Sequence, residues 1–168
     1  MEKSVIDVIQ AVVDDMTTTR KLLYGSANEV VMKLSAMAKT ALTNAKRYPL
    51  IALFTDIPER KGEVTGIQSI ITIPTILFVH VTKKEYMAEQ RKEKVFDEVL
   101  QPMYEQFMEA LQRSTDVKVI DWRLVPHTKI DRFSWGKSAI FTENNAGSEF
   151  IDAIEIQNLQ ISIYRNHC

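Results

Sequence analysis

The chain has 168 residues, a length that suits one domain with a real core. Apolar residues make up 45% and charged residues 26%, an ordinary globular balance that argues against a disordered chain. The formal net charge of −1 argues against a protein built mainly to neutralise phosphates, and the clusters Arg20-Lys21, Lys46-Arg47, Arg60-Lys61 and Lys83-Lys84 are interleaved with acids. No run of about 18 apolar residues is present, so no membrane span is expected. The N-terminus lacks the basic-then-apolar order of a signal peptide. The only cysteine is Cys168, which rules out an internal disulfide or a thiolate metal cage and suits the cytoplasm.

The first segment places Val5, Ile6, Ile9, Val12, Val13 and Met16 at helical spacing, with Asp7, Asp14 and Asp15 among them. This predicts a one-faced helix that packs either on its own core or on a neighbouring subunit. Tyr24-Gly25 reads as a turn. Ser26-Ala27-Asn28-Glu29 then has the spacing of a capping box, opening a second amphipathic helix over 27–46. Val30, Leu34, Met37 and Ala41 recur on one face of it, and Pro49 requires that it end beforehand. Leu50 to Phe54, short and apolar between Pro49 and Thr55-Asp56, predicts a buried strand.

Residues 58–66 read as a charged loop containing Glu59, Arg60, Lys61 and Glu63. Residues 67–82 alternate as one long strand or a strand pair, with Pro74 predicting a bulge or an edge position. Phe96, Leu100, Met103, Phe107 and Leu111 mark a helix over 86–113, which Pro102 should bend. Residues 117–122 are a candidate strand, and Asn144 to Gly147 a loop. A terminal strand runs from Ile151, alternating well from Ile154 except for a phase change at Gln157-Asn158, where a bulge would fit. The order implies a single α+β domain over 1–168. Its antiparallel β-sheet of about four strands would pack against two to three helices on one side.

Several constellations bear on chemistry. Asp56, Glu59 and Lys61 resemble the acid-then-Glu-x-Lys pattern of a Mg²⁺-dependent nuclease, but all three lie in one loop, whereas such sites bring the first acid from a separate strand. His80, His127 and His167 are too scattered to form a spaced ligand pair. Asp121, His127, Asp131 and Ser134 could form a relay, yet no glycine elbow accompanies them. The glycines include no phosphate-cradling pattern. No catalytic residue, metal ligand or cofactor is therefore assigned. Arg132, Phe133 and Trp135 fit an interface hot spot or a tryptophan closing the core, and both readings stand.

Tyr48-Pro49-Leu50-Ile51-Ala52-Leu53-Phe54, Leu100-Gln101-Pro102-Met103-Tyr104 and Ile154-Glu155-Ile156-Gln157-Asn158-Leu159 carry a resemblance. In this order of elements the chain resembles the tail-terminator and neck proteins of long-tailed phages. The resemblance spans nearly the whole chain through short motifs; the helix at 27–46 and the Trp135 loop are additions to the pattern. It implies a non-enzymatic virion subunit, assembled in the bacterial cytoplasm as a ring, commonly a hexamer. Such a ring caps the tail tube and meets the tail tube protein and head-completion proteins, with no membrane and no sequence-specific nucleic acid as partner. A closed ring needs two unlike, complementary faces. The helix carrying Val5, Ile9 and Val12 and the strand around Pro74 are candidates, with the charged loop turned to the lumen or tube. The competing readings are another neck or head-completion subunit, a bacterial accessory binding domain, and a nuclease using Asp56 and Glu59.

Overall fold

A computed structural model describes residues 3–18, 21–39, 46–62, 66–122, 125–133, 135 and 150–164. Glu63, the Asn144 loop, Ser134, His167, Cys168 and the 40–45 end of the predicted second helix lie outside these residues. The elements in chain order are α1 (Val5–Asp14), β1 (Leu22–Gly25), α2 (Ala27–Met37), β2 (Leu50–Phe54), β3 (Glu59–Lys61) and β4 (Ile67–Val81). There follow α3 (Ala88–Arg91), a π-helical stretch (Lys92–Leu100), α4 (Gln101–Arg113), β5 (Val117–Val119), β6 (His127–Phe133) and β7 (Ile151–Tyr164).

The frame of the sheet is the antiparallel ribbon of β4 and β7, in register from Ser69↔Ile163 to Val81↔Ile151. Each outer edge of the ribbon is divided between two short strands. On β4, β3 pairs at Ser69 to Ile71 and β2 at Ile76 to Val79. On β7, β5 pairs at Ile161 to Ile163 and β6 at Ile151 to Ile156. The α+β class therefore holds, but the sheet has seven strands and is mixed rather than antiparallel, because β1 runs parallel to β2. The reason is α2, which serves as the crossover a parallel pair needs. Gly25, expected in a turn, ends β1 instead. Its φ of +144° suits glycine, and a Cβ there would meet Glu29 Oε2 at 2.8 Å. That carboxylate is engaged in the capping box, accepting from Ser26 N–H at 2.6 Å while Ser26 Oγ accepts from Glu29 N–H.

Alternation along the strands sends side chains to two cores. Ile51, Leu53, Ile76, Phe78, Ile154 and Ile156 meet α1, the π stretch and α4 on one face. Leu50, Ala52, Leu77, Val79, Ile151 and Ala153 meet Val30, Val31 and Leu34 of α2 on the other. Helices thus lie on both faces, not on one. Phe78 and Phe107 join sheet to α4 edge-to-face at 5.3 Å.

Between residues 73 and 76 the first core passes from odd to even positions on β4, and on β7 it passes from Ile156 to Leu159. Both strands change phase at the same level, so the register is kept. Asn158, with φ +53°, supplies the turn-over on β7. Pro74 stands opposite it in the gap between β3 and β2. Thr72 N–H reaches Pro58 O on that side, and two residues on proline has no N–H to orphan there. Neither the bulge nor the edge strand expected of Pro74 is found: β4 is interior to the sheet, Pro74 falls in the short unpaired gap between β3 and β2, and the register shift lies at Ile67/Ser69. The extra residue there, Gln68, grips Lys3 through its backbone N–H and C=O.

The helix over 86–113 also differs from expectation. Nine of its residues wind as a π-helix, closed by Gln101 N–H donating to Phe96 O. Pro102 then falls at the change from π to α winding in a helix that continues unbroken, and it offers no N–H to the turn before it. The proline marks a junction between two windings rather than a break inside one.

Candidate functional site

The structure separates the residues singled out in the sequence. Ile9 and Val12 are buried in the chain's own first core and Val5 packs against it, so α1 spends its apolar face internally. Trp135 belongs to the second core and meets the Phe133 ring edge-to-face at 5.4 Å, which decides for a core tryptophan. Arg132 stays exposed beside them. The expected loop at 58–66 carries strand β3, where Arg60 lies opposite Ile70 and Glu59 opposite Ile71. Asp56 is exposed in the bend before it, and among the described residues no strand paired with β3 sets an acid opposite Glu59, whose partner is Ile71. Among the described residues no group of three His, Cys, Asp or Glu is placed to hold a metal. No helix among them is long and apolar enough to cross a membrane. His127 stacks on Tyr104 with ring centres 4.4 Å apart, and Asp131 turns to Arg91.

Two arrangements stand out instead. The first is an uncovered half of the sheet. The face clothed by α2 is clothed only at the β2–β6 end. At the β3–β5 end no helix lies over it among the described residues. Cross-strand pairing sets Arg60, Ile70, Ser162 and Lys118 in one row there, with Thr72 and Gln160 in the next. Ile120, whose N–H donates to Gln160 O, continues the face and is 47% exposed. Trp122 follows, also exposed. Lys118 Nζ sits 5.6 Å from the Tyr164 ring centre on the same side, and the Arg60–Lys118 row contains no carboxylate. The opposite surface of the molecule, the outside of α1, the π stretch and α4, exposes Asp7, Asp14, Glu98 and Glu105, with Lys92, Lys94 and Arg113 among them.

The second arrangement is a buried polar cluster at the other end of the ribbon, where β4, β7 and β6 meet α3. Asp152 is fully buried and pairs across the strands with His80. Its Oδ1 accepts from Arg132 N–H at 2.8 Å. Arg132 has φ +53° and is one of the two residues, with Asp131, set against Asp152 in a register shift between Ile130 and Phe133. Asp152 therefore holds the bulge that turns Phe133 and Trp135 onto the second core. Burial pushes the Asp152 carboxyl upward, against the opposing pull of the Arg132 N–H, Thr82 and Arg91. The Thr82 hydroxyl lies close enough to influence that carboxyl, yet neither Thr82 Oγ1 nor Asp152 Oδ2 makes a full hydrogen bond among the described residues. Burial pushes His80 downward, keeping the imidazole neutral, and its Nδ1 is buried without a partner there. Arg91, almost wholly buried, donates to Tyr86 O at 2.8 Å and stands 3.6 Å from Asp131.

Sequence reasoning missed this cluster because its members come from distant segments. The alternation that assigned β4 and β7 did place His80 and Asp152 on strands, but their pairing needs the register. Ile120 and Trp122 belong to the strand expected over 117–122, of which only Val117–Val119 forms one. No family model matches the chain, and no curated protein or solved structure matches it either.

Proposed function

We propose that the chain is a structural subunit that binds copies of itself front to back, as a tail-terminator-like ring subunit of a phage or prophage virion. In that reading the ring caps the tail tube and presents a surface to head-completion proteins, and its assembly takes place in the host cytoplasm. The observation that supports it best is the pair of unlike faces on opposite sides of one sheet. The uncovered half carries Arg60 and Lys118 beside Ile70 and Ile120, and the outer helical layer carries Asp7, Asp14, Glu98 and Glu105. A contact between unlike faces is heterologous, and it generates a ring when the rotation closes. Opposite charge adds orientation and speeds encounter more than it adds affinity; the half-exposed isoleucines supply the apolar part. The resemblance in element order supports the phage placement, and with it the tube and neck partners.

The test is a charge swap. Arg60→Glu with Lys118→Glu should lower the native mass at a given concentration, and adding Glu98→Lys with Glu105→Lys should restore it. Assembly of the first variant like the parent would remove this face from the account. A variant that stays dissociated after the second pair of changes would remove the helical face as its complement.

A further inference from the structure

Between the end of β4 and the start of the π stretch lies a cavity of about 290 Å³, lined by His80, Val81, Thr82, Lys83, Tyr86, Lys94 and Val95. Lys83 and Lys94 reach the Tyr86 ring at 5.5 and 5.6 Å, so two ammonium groups flank one wall. Thr82 is 6% exposed and His80 half-buried; the Thr82 hydroxyl and His80 Nδ1 are without a hydrogen-bond partner among the described residues. None of the lining residues is acidic. A polar group kept from water without a partner is destabilising, so this lining gains by taking a ligand that hydrogen-bonds to it.

We propose that this cavity is a binding site for a phosphate group. Two lysines act as point charges around a tetrahedral anion, with the Thr82 hydroxyl and His80 imidazole adding hydrogen bonds. A planar carboxylate would instead favour the fork of an arginine, and none lines the cavity. The volume falls near the lower end of small-molecule sites, leaving room beside the Tyr86 ring for more than a bare ion. Asp152 and Arg91, the charged neighbours behind His80, lie outside the lining: Asp152 Oδ1 accepts from Arg132 N–H and Arg91 donates to Tyr86 O, while the Thr82 hydroxyl lies close to the Asp152 carboxyl, whose neutral form burial favours. The site uses neither Arg60 nor Lys118 of the uncovered sheet face, although Lys94 stands on the π stretch that also carries Glu98.

The test follows the ring-proton resonances of the three histidines during titration of the full chain with inorganic phosphate and, separately, adenosine monophosphate. Sodium chloride at matched ionic strength is the control. His80 should shift and saturate with a Kd of about 1 mM or tighter. His127, opposite Ile156 while His80 is opposite Asp152, should stay still. Lys83→Ala and Lys94→Ala should each weaken binding about threefold, as expected of exposed charges, and the double variant should weaken it about tenfold. Thr82→Val should weaken it further without moving the His127 resonance. Tighter binding of the nucleotide would assign an ester as the source, and equal binding the free ion. A His80 shift no larger than chloride gives, or one that survives in the double lysine variant, overturns the proposal.

Discussion

Replacing Asp152 tests the packing logic of the sheet at the bulge it supports in β6. Its Oδ1 is the acceptor for Arg132 N–H at 2.8 Å inside a bulge, and the side chain is fully buried. Asp152→Ala removes that acceptor and leaves a buried donor orphaned, a loss of about 1–3 kcal/mol. Part of the loss is offset, because burial already raises the Asp152 carboxyl and disfavours its charge. Asp152→Asn keeps a carbonyl oxygen able to accept from Arg132 and removes the charge, so it should fall within about 1 kcal/mol of the parent. In a domain of this size 1 kcal/mol moves Tm by about 2–4 °C, which sets the two variants several degrees apart. Urea denaturation at pH 7 followed by circular dichroism reads the difference. Equal loss in both variants, or no loss in Asp152→Ala, would refute the reasoning that this carboxyl acts as the acceptor holding the bulge.

Arg132→Gly should stabilise the protein by about 0.5–1 kcal/mol, since a side chain at φ +53° is strained and glycine is not, as thermal melts would show. Phe107→Ala should cost about 3–5 kcal/mol in denaturant midpoint analysis, because the ring is fully buried against Phe78. His80 is held neutral by burial, so its pKa in the folded chain is lowered. The unfolded chain takes up that proton below about pH 6.5 and the folded chain does not, so stability falls as pH falls through this range. His80→Gln should flatten that slope in melts between about pH 7 and 5. Asp152 titrates with the opposite sign: its raised folded pKa makes stability rise as pH falls towards the carboxylate range, which Asp152→Asn removes.

What was legible in the sequence was what local chemistry decides. β2 matches residues 50–54 because proline and polar residues bound an apolar run. The capping box at Ser26 and Glu29 is formed by residues three apart. The phase change at Gln157-Asn158 reports a real event, the face exchange at Asn158, although its partner event at Pro74 keeps the register and no bulge results. What was illegible depends on pairing. β1 and β3 are four and three residues long, and they become strands only by lying beside β2 and β4. The opposite face of α2 follows from the parallel crossover, which no periodicity reports. The Trp135 alternatives separate only once the Arg132 bulge fixes which way β6 turns. His80 and Asp152 meet through register alone, and the open half of the sheet is visible only once the helices are placed.

The most direct test of front-to-back assembly is the native mass of the purified chain across a concentration series, followed by negative-stain images of the largest species. The account predicts a closed ring, six subunits in the tail-terminator reading, whose mass stops growing once it closes. A strict monomer at every concentration would contradict self-assembly through these faces, as would a two-fold dimer that excludes them.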